Sequence, residues 1–459
     1  MQLLRKEVRK NMRKIVNLFL LFVIVISFSS CAGKNILLFL NWGEYIDEAM
    51  LEEFEKEFNC EVVMDLGDSN EIFYSKVRGG TTCYDVVVPS DYMVKKMYDN
   101  DMLLELDYSK IPNFKRDNLV SGVEGISETL EAKSKGISDY YIPYLWGTWG
   151  IMYSTLLEGL EKAVTKSENE WSCLFDRNTL PKNTRVAMYD SQQHAYYAAC
   201  RYLGYDVYTE LDKTKLNNIY SLVRTMDYDV WGTDDIKKDI VAGNVDVGFM
   251  WTGDFLYYYC ENAAKVVMDA YLAGDVKINE INDMINVITS DERIYKNKYQ
   301  IGFDIHIPTN TVAFCDNFVI PKDSAHTELA HKFINFMIGR NEGIAENDPG
   351  FANTYYVSYN TPYLDIYLDI VDLKSLEFSS DSETEFNNEK KSGVDPYDST
   401  LFWNFYDIAI GIAFEKYYPE KVEIIQPDGS IRYYKGEILA TFDRSYINTI
   451  NATFNNARA

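Results

Sequence analysis

The chain has 459 residues, of which 47 % are hydrophobic and 15 % aromatic. This length and composition allow two or more domains with substantial cores and exclude a mainly disordered protein. Beyond residue 30 there are 69 acidic and 39 basic residues, a net charge of −30. Such a negative surface repels phosphate backbones, so we expect no nucleic-acid partner. A cationic ligand is compatible with this charge.

The amino-terminal segment, residues 1–30, has the layout of a secretory signal peptide. A basic stretch precedes an apolar run at 15–28, which is shorter than the about 20 residues that a membrane-spanning helix needs. Cys31 follows this run and is similar to the lipidated cysteine of bacterial lipoproteins, which implies export and a lipid anchor on the extracytoplasmic face of the membrane. Two alternatives stay open: an uncleaved anchor, and a start at Met12.

Sequence motifs for catalysis or metal binding are absent. There is no GxSxG, HExxH, GxxxxGK[ST] or glycine-rich dinucleotide pattern. The six further cysteines form no CxxC pair and are interpreted as small buried side chains. Of the four histidines, His326 and His331 are predicted to lie on one solvated helix. We therefore expect no enzyme, no metal and no cofactor, although a carboxylate pair could serve a hydrolase.

The predicted elements alternate between strands and helices along the chain. Strands are expected at 35–41, 60–66, 84–88, 185–188, 245–251 and 311–320, and helices at 46–58, 92–99, 193–203, from 254 onward, and at 328–338. The remaining assignments are polar helices without a clear partner at 262–300, an acidic solvated loop at 377–400 and a hairpin at 422–434. This alternation predicts an α/β fold, in which ligands bind at the carboxyl ends of strands.

Aromatic and acidic residues recur where the predicted strands end. Four stretches share this pattern: Trp42-Gly43-Glu44-Tyr45, Pro89-Ser90-Asp91-Tyr92, Trp251-Thr252-Gly253-Asp254 and Phe314-Cys315-Asp316. Aromatic faces attract ammonium groups by about 0.5–2 kcal/mol, and carboxylates neutralise the ammonium charge. A slot with aromatic walls and acids at its ends therefore suits ammonium groups separated by methylenes. One such stretch alone is compatible with core packing, but four favour a binding site.

The chain resembles the spermidine/putrescine-binding proteins of bacterial polyamine ABC importers. The stretches that carry the resemblance, in order and spacing, are NWGEY at 41–45, YDVVVPSDY at 84–92, IPYLWG at 142–147, GFMWTGD at 248–254, DNFVIP at 316–321 and YNTP at 359–362. The resemblance implies a two-lobed periplasmic-binding-protein-like fold (type II), with a mixed, mainly parallel sheet in each lobe. It also implies a monomer that closes on a polyamine by hinge motion and delivers it to permease subunits.

The resemblance further implies a division of the chain. The expected parts are the signal peptide at 1–30, the first part of lobe 1 at 31–143, lobe 2 at 144–308 with an insertion at about 262–300, and the second part of lobe 1 at 309–459 with C-terminal helices and the acidic stretch 377–400. The chain is expected to cross between the lobes near 144–147 and near 306–311.

Residue roles follow from the resemblance by position. Trp42, Tyr45, Tyr92, Trp251 and Phe314 would line the slot, Glu44 and Asp316 would pair with ammonium groups, and Ser90 and Tyr359 would form hydrogen bonds. Asn404 stands where a glutamine is expected, and Phe314 where a tryptophan is expected.

The second lobe departs from the family pattern. Ser191 and His194 stand where the family usually places two acids, and Asp190 is the acid nearby that could take over an amine contact. This departure favours an alternative: a protein of the same fold that binds a different solute, such as another cation, a peptide or a sugar. A structural or adhesive lipoprotein is a further alternative.

Overall fold

The computed structural model describes residues 35–233, 235–289, 298–340, 348–418, 423–425, 431–433, 442 and 444–458. The predicted signal peptide and Cys31 lie outside these described residues, so the lipid anchor stays a prediction.

The first lobe is built on three parallel strands, each followed by a helix. The strands are β1 (Asn35–Asn41), β2 (Cys60–Leu66) and β3 (Val86–Val87), in the order β2-β1-β3. The helices are α1 (Glu48–Phe58), α2 (Asn70–Gly79), α3 (Asp91–Asp99) and α4 (Ser121–Lys133). Asp47 and Ser69 cap the first two helices through their side chains. Because the strands are parallel, the residues that follow β1 and β3 meet at one edge of the sheet.

A second, six-stranded mixed sheet contains the strands of the second lobe and one strand that also contacts the first lobe. Its strands are β4 (Ile142–Ser154), β5 (Val186–Tyr189), β6 (Val230–Gly232), β7 (Val247–Trp251), β8 (Phe303–His306) and β9 (Ala313–Phe318), in the order β6-β5-β7-β4-β8 with β9 on β4. Strand β5 is parallel to β6 and β7, whereas β4 is antiparallel to β7, β8 and β9.

Strand β4 connects the two lobes. All 13 of its residues are buried, and it pairs with β9 from Ile142 to Thr148 and with β7 and β8 from Trp149 onward. Strand β9 reaches the first lobe through single bridges between Ser90 and Asp316 and between Val87 and Val319. The carboxyl ends of β1, β3 and β7 are thereby brought towards β9. The predicted crossing points stay a prediction.

The remaining helices cover the sheets. They are α5 (Leu160–Thr165), α6 (Gln192–Leu203), α7 (Lys213–Met226), α8 (Asp235–Val241), α9 (Thr252–Leu272), α10 (Ile281–Thr289), α11 (Thr327–Met337), α12 (Pro349–Val357), α13 (Leu364–Asp372), α14 (Ser380–Lys391), α15 (Thr400–Tyr417) and α16 (Arg444–Arg458). Short 3-10 turns lie at Tyr108–Lys110, Arg116–Asn118, Ile137–Asp139, Ser172–Leu174, Arg177–Thr179, Ile278–Glu280, Leu373–Ser375 and Pro396–Asp398. Within the described ranges, no helix is long and apolar enough to cross a membrane.

The α/β class and the order of strands and helices agree with the sequence prediction, and the two-lobed fold is confirmed by the relatives reported below. The hairpin is confirmed where it is described: β10 (Glu423–Ile425) pairs antiparallel with β11 (Ile431–Tyr433). The predicted division of the chain, which assigned 309–459 to the first lobe, stays a prediction. Helix α16 packs on α6 and α7 of the second lobe, because its apolar stripe faces them.

The prediction of a solvated loop at 377–400 is wrong. Helix α14 occupies residues 380–391, with Ser379 as its N-cap. Acidic residues fill its first turn and lysines its last turn, which complements the helix dipole. Its one strongly buried side chain, Phe386, packs on Tyr271 at a ring distance of 5.6 Å. The polar composition of this stretch is therefore compatible with a capped surface helix as well as with a loop.

The polar helices at 262–300 do have partners. Helix α10 packs on α9 and α15, and the Asn282 side-chain amide donates to the Leu376 carbonyl at 2.6 Å. The two segments that break the strand–helix alternation thus pack on each other. Residues 290–297 of this insertion lie outside the described residues.

Two smaller predictions are also wrong. His331 is 3 % exposed and not solvated, because its Nε2 accepts the Asp107 backbone N–H at 3.0 Å. Cys83 is exposed, whereas Cys60, Cys173, Cys200, Cys260 and Cys315 are buried as predicted.

Candidate functional site

A buried carboxylate lies where the two lobes meet. Asp316, on β9, is 5 % exposed. Its Oδ1 accepts the Ser90 hydroxyl at 2.6 Å, and its Oδ2 accepts the Tyr45 hydroxyl at 2.8 Å. Ser90 is held in turn by Asn70, whose amide donates to Ser90 Oγ at 2.9 Å and accepts the Ser90 N–H at 3.0 Å. Three predicted site residues from distant parts of the sequence are thus joined.

Burial raises the pKa of Asp316 to about 6, although the two hydroxyl donors oppose the shift. Within the described part of the chain, Asp316 has no salt bridge. Its charge is therefore stabilised by neutral donors alone. Burying a charge without a counter-charge costs several kcal/mol in general, so a cation at this position would be strongly favoured.

A second buried carboxylate accompanies the first. Asp91, at the start of α3, accepts the Cys315 N–H at 2.8 Å through Oδ2. Its Oδ1 is buried and has no hydrogen-bond partner among the described residues. Burial, together with the charge of Asp316, raises the pKa of Asp91 to about 7, and Lys133 acts against this shift. Asp91 of the first lobe and Asp316 of β9 therefore form a pair of buried acids.

Aromatic rings extend from this acid pair towards the second lobe. The ring of Tyr45 lies 5.2 Å from that of Tyr359, Tyr359 lies 6.1 Å from Phe314, and Phe314 lies 4.9 Å from Trp251. Burial is also the largest cause of the raised pKa of Tyr359. We call Tyr45, Ser90, Trp251, Phe314, Asp316 and Tyr359 the interlobe site.

Gly253 makes the approach of Tyr359 possible. A Cβ atom at this position would lie 2.1 Å from the Tyr359 ring. The residue follows Trp251 in the first turn of α9, so the close contact joins the second lobe to the loop that carries Tyr359. Only glycine allows the ring to pack at this distance.

The second-lobe wall is aromatic and contains a buried histidine. The ring of His194 lies 4.9 Å from Trp149, 5.6 Å from Tyr189 and 5.3 Å from Trp251. Burial lowers the pKa of His194 to about 4, so the imidazole is neutral at neutral pH. Its Nδ1 lies 2.5 Å from Ser191 Oγ. The repulsion that a charged histidine would exert on an ammonium group is therefore absent at this pH.

Two further predicted residues lie beside the interlobe site. The Trp42 indole donates to the Val88 carbonyl at 2.8 Å, and its ring packs on Phe73 at 4.5 Å. Tyr92 is 7 % exposed, and its pKa is raised by burial and, more weakly, by surrounding acids that include Asp316.

Three predicted residues are not joined to the interlobe site by any contact described. Glu44 is exposed and has a positive φ of 52°. Asp190 is exposed and forms a salt bridge with Arg458. Asn404 lies near the start of α15, whose other end approaches the site through the Tyr418 hydroxyl, 3.0 Å from Thr252 Oγ1. Fourteen residues of helix place Asn404 about 20 Å from that end.

Several residues of this region are not among the site residues predicted from the sequence. They are Asn70, Asp91, Tyr189, His194 and Trp149. Asp91 stood within one of the four stretches noted in the sequence, and His194 was noted for its position only. Asn70 and Trp149 had no local signal, because their roles depend on contacts with residues far along the chain.

The arrangement has the properties of a binding site for an elongated cation. It offers carboxylates at the first-lobe end, ring faces along its length and a neutral wall at the second-lobe end. Within the described ranges, no group of three or more His, Cys, Asp or Glu side chains is placed to hold a metal ion.

Known proteins resemble the chain in sequence and in fold. The family model described as bacterial extracellular solute-binding protein matches residues 40–341. A putrescine-binding periplasmic protein of Pseudomonas aeruginosa is 28 % identical over 317 residues, 68 % of this chain and 76 % of the relative. A putrescine-binding periplasmic protein of Escherichia coli is 24 % identical over 67 % of this chain and 74 % of its own length.

A solved structure shares the fold over most of its length. The putative spermidine/putrescine ABC transporter structure from Listeria monocytogenes aligns with a TM-score of 0.58 at 22 % identity, covering 93 % of this chain and 99 % of the other. Because the family model spans well over half of the sequence, the chain belongs to the bacterial extracellular solute-binding proteins.

Proposed function

We propose that this protein is the extracytoplasmic substrate-binding lipoprotein of an ABC importer and captures a polyamine, spermidine or putrescine, between its lobes. The observation that carries the proposal is Asp316: a buried carboxylate with hydroxyl donors, no salt bridge among the described residues, and aromatic rings beside it. An ammonium group would supply the missing counter-charge, and the rings would cover the methylene chain. The names of the relatives support the same ligand class.

The proposal includes the finer predictions made from the sequence. Cys31 would carry the lipid that anchors the protein to the membrane, the protein would act as a monomer without enzymatic activity, and permease subunits would be its protein partners. The interlobe site, together with Trp42 and Tyr92, would hold the ligand. Glu44, Asp190 and Asn404 stay predictions, and their positions in the structure give them less support.

A second candidate function is the binding of a different solute by the same fold. The observation that favours it is the second-lobe wall, where Ser191 and the neutral His194 take the place of acids. A ligand with a single cationic end would fit such a wall better than a ligand with cations at both ends.

A thermal-shift experiment tests the proposal. The full-length protein in detergent is heated with putrescine, cadaverine, spermidine, spermine, an amino-acid pool or a panel of sugars. A ligand at 100 times its Kd stabilises by about 2.7 kcal/mol, roughly 5–10 °C for domains of this size. A shift with a polyamine supports the proposal. A shift with another solute, and with no polyamine, contradicts it.

A further inference from the structure

We propose that Arg458 is a built-in cation that occupies the second-lobe position of a ligand ammonium group and so sets the charge selectivity of the site. The inference rests on the proposed amine-binding function and names the kind of amine end that each lobe accepts.

Arg458 makes the contacts that an ammonium ligand would make. Its Nη2 donates to Asp190 Oδ1 at 2.5 Å, and its guanidinium carbon lies 3.8 Å from the centroid of the Trp231 ring. A carboxylate and an aromatic face are the two features expected of an amine-binding position. Here Arg458, a side chain of the protein itself, contacts both the carboxylate and the aromatic face.

Asp190 lies at the rim of the second-lobe wall. It follows β5 directly, and both of its sequence neighbours contribute to the wall. The Tyr189 ring lies 6.1 Å from Trp251, and Ser191 Oγ lies 2.5 Å from His194 Nδ1. The residue thus lies at the carboxyl end of β5, the edge of a sheet at which ligands bind in folds of this class.

Helix α16 holds Arg458 in place independently of Asp190. Its buried residues Tyr446, Ile450, Phe454 and Ala457 form a stripe at helical spacing that faces α6 and α7. The Tyr446 hydroxyl lies 2.9 Å from the Tyr196 hydroxyl and accepts the Leu211 N–H at 2.6 Å. Arg458 stands in the last turn, where the helix dipole favours a cation.

The other acid near this wall is also paired with an internal cation. Asp254, in the first turn of α9, forms a salt bridge with Lys237 at 2.8 Å. The charges of Asp190 and Asp254 are thus balanced within the second lobe, whereas Asp91 and Asp316 form no salt bridge among the described residues. The second-lobe end consequently favours an uncharged ligand end, and the first-lobe end favours an ammonium group.

Calorimetry with two matched ligands tests the inference. Putrescine and N-acetylputrescine share the same four-carbon chain and differ by one positive charge. The full-length protein should bind them with Kd values within about threefold of each other. In Arg458→Gln, the preference for putrescine over N-acetylputrescine should rise by about tenfold or more, because Asp190 becomes available to the second ammonium group.

Three further variants make the result specific. Arg458→Lys retains the cation and should keep the ligand ratio of the unmodified protein. Asp190→Asn, added to Arg458→Gln, should return the ratio to that value. Arg224→Gln removes the same charge from an exposed position on α7 and should leave the ratio unchanged. Unfolding temperatures of all variants show whether each is folded, and Arg458→Ala replaces Arg458→Gln if the latter is not.

Two outcomes overturn the inference and leave the proposed amine binding intact. The first is an unchanged preference for putrescine over N-acetylputrescine in folded Arg458→Gln. The second is a raised preference that persists in the double variant. Failure of the unmodified protein to bind any amine contradicts the proposed function. If Arg458→Gln also binds neither putrescine nor N-acetylputrescine, the inference is contradicted together with the proposed function. Binding of putrescine by Arg458→Gln alone would support the inference.

Discussion

We expect the proposed cation binding to depend most on Asp316. Its two hydroxyl donors fix the direction of both carboxylate oxygens, and its burial removes the solvent that would otherwise screen its charge. A ligand ammonium group would therefore meet an oriented carboxylate in a low-dielectric setting, where a charge-assisted hydrogen bond is strong.

Substitution Asp316→Asn should weaken polyamine binding by about tenfold or more, which corresponds to about 1.4 kcal/mol. The amide keeps the shape of the side chain and removes its charge. Calorimetric titration measures the change. Asp117→Asn removes one charge from an exposed position of the first lobe and should bind as the unmodified protein does. Equal affinities in the two variants would refute the role of Asp316.

The pH dependence should have opposite signs for stability and for binding. Burial raises the pKa of Asp316 to about 6 and that of Asp91 to about 7, above the value of about 3.9 in an unfolded chain. Between these values the folded state binds more protons, so these two groups lower the free energy of unfolding as pH rises. A bound ammonium group favours the ionised carboxylates, so affinity should rise over the same interval.

The measurement is Kd at pH 5 and pH 8, which should decrease towards pH 8. His194, whose pKa burial lowers to about 4, makes stability rise with pH between its folded value and about 6.5. The free energy of unfolding is therefore compared between the unmodified protein and Asp316→Asn at each pH. The contribution of His194 is common to both proteins and cancels in the difference. A Kd that is independent of pH would count against Asp316 as the cation partner.

At the scale of elements, β4 and the start of α9 position the site. The first half of strand β4 pairs with β9, and its second half pairs with β7 and β8. One strand therefore fixes the relative positions of the aromatic residues that both lobes contribute. The first turn of α9 then brings Gly253 against Tyr359. The interlobe contact depends on the absence of a side chain at this glycine.

Substitution Gly253→Ala should weaken ligand binding by about tenfold or more, because the new methyl group displaces the Tyr359 ring. Both the Kd and the unfolding temperature are measured, since a general loss of stability would affect the latter first. Gly79→Ala is the matched control: apart from its chain neighbours and the backbone of α2, no atom of the described residues lies within 4 Å of the added Cβ. Unaltered binding by Gly253→Ala would show that Tyr359 can move without effect.

At the scale of the whole molecule, the lobes are drawn together in the structure. Tyr45, Phe314, Asp316 and Tyr359 are each 5–8 % exposed, so we expect the lobes to separate when a solute enters. A contact away from the interlobe site also joins the lobes: Lys133 Nζ, at the end of α4, lies 4.8 Å from the ring centroid of Tyr208 in the second lobe. We expect this contact to favour the arrangement in which the lobes are drawn together.

Substitution Tyr208→Ala, which leaves the charge of Lys133 near Asp91 in place, should weaken ligand binding by about two- to fivefold, the value of an exposed cation–π contact of about 0.5–1 kcal/mol. The loss arises because the contact is present in the closed state and is lost on opening. Calorimetry gives the Kd, with Lys115→Ala, an exposed lysine of the first lobe, as control. Identical affinities for the two variants would exclude a contribution of this contact to closure.

The sequence by itself determined the α/β class, the order of the strands and the stretches at which the strand ends meet. These properties depend on local periodicity and on short motifs, which are visible without a structure. Ser90, Tyr45 and Asp316 could therefore be named in advance. The acidic composition of 377–400 was misleading, since capping and charge placement make it a helix.

Only the tertiary structure decided which charges are compensated. Asp190 follows β5 and Asp316 lies within β9. Asp190 pairs with Arg458, 268 positions further along the chain, whereas Asp316 accepts hydrogen bonds from two hydroxyl groups. The same holds for His194, whose neutrality follows from burial among rings. Pairing and burial depend on packing between distant segments, which local sequence patterns do not encode.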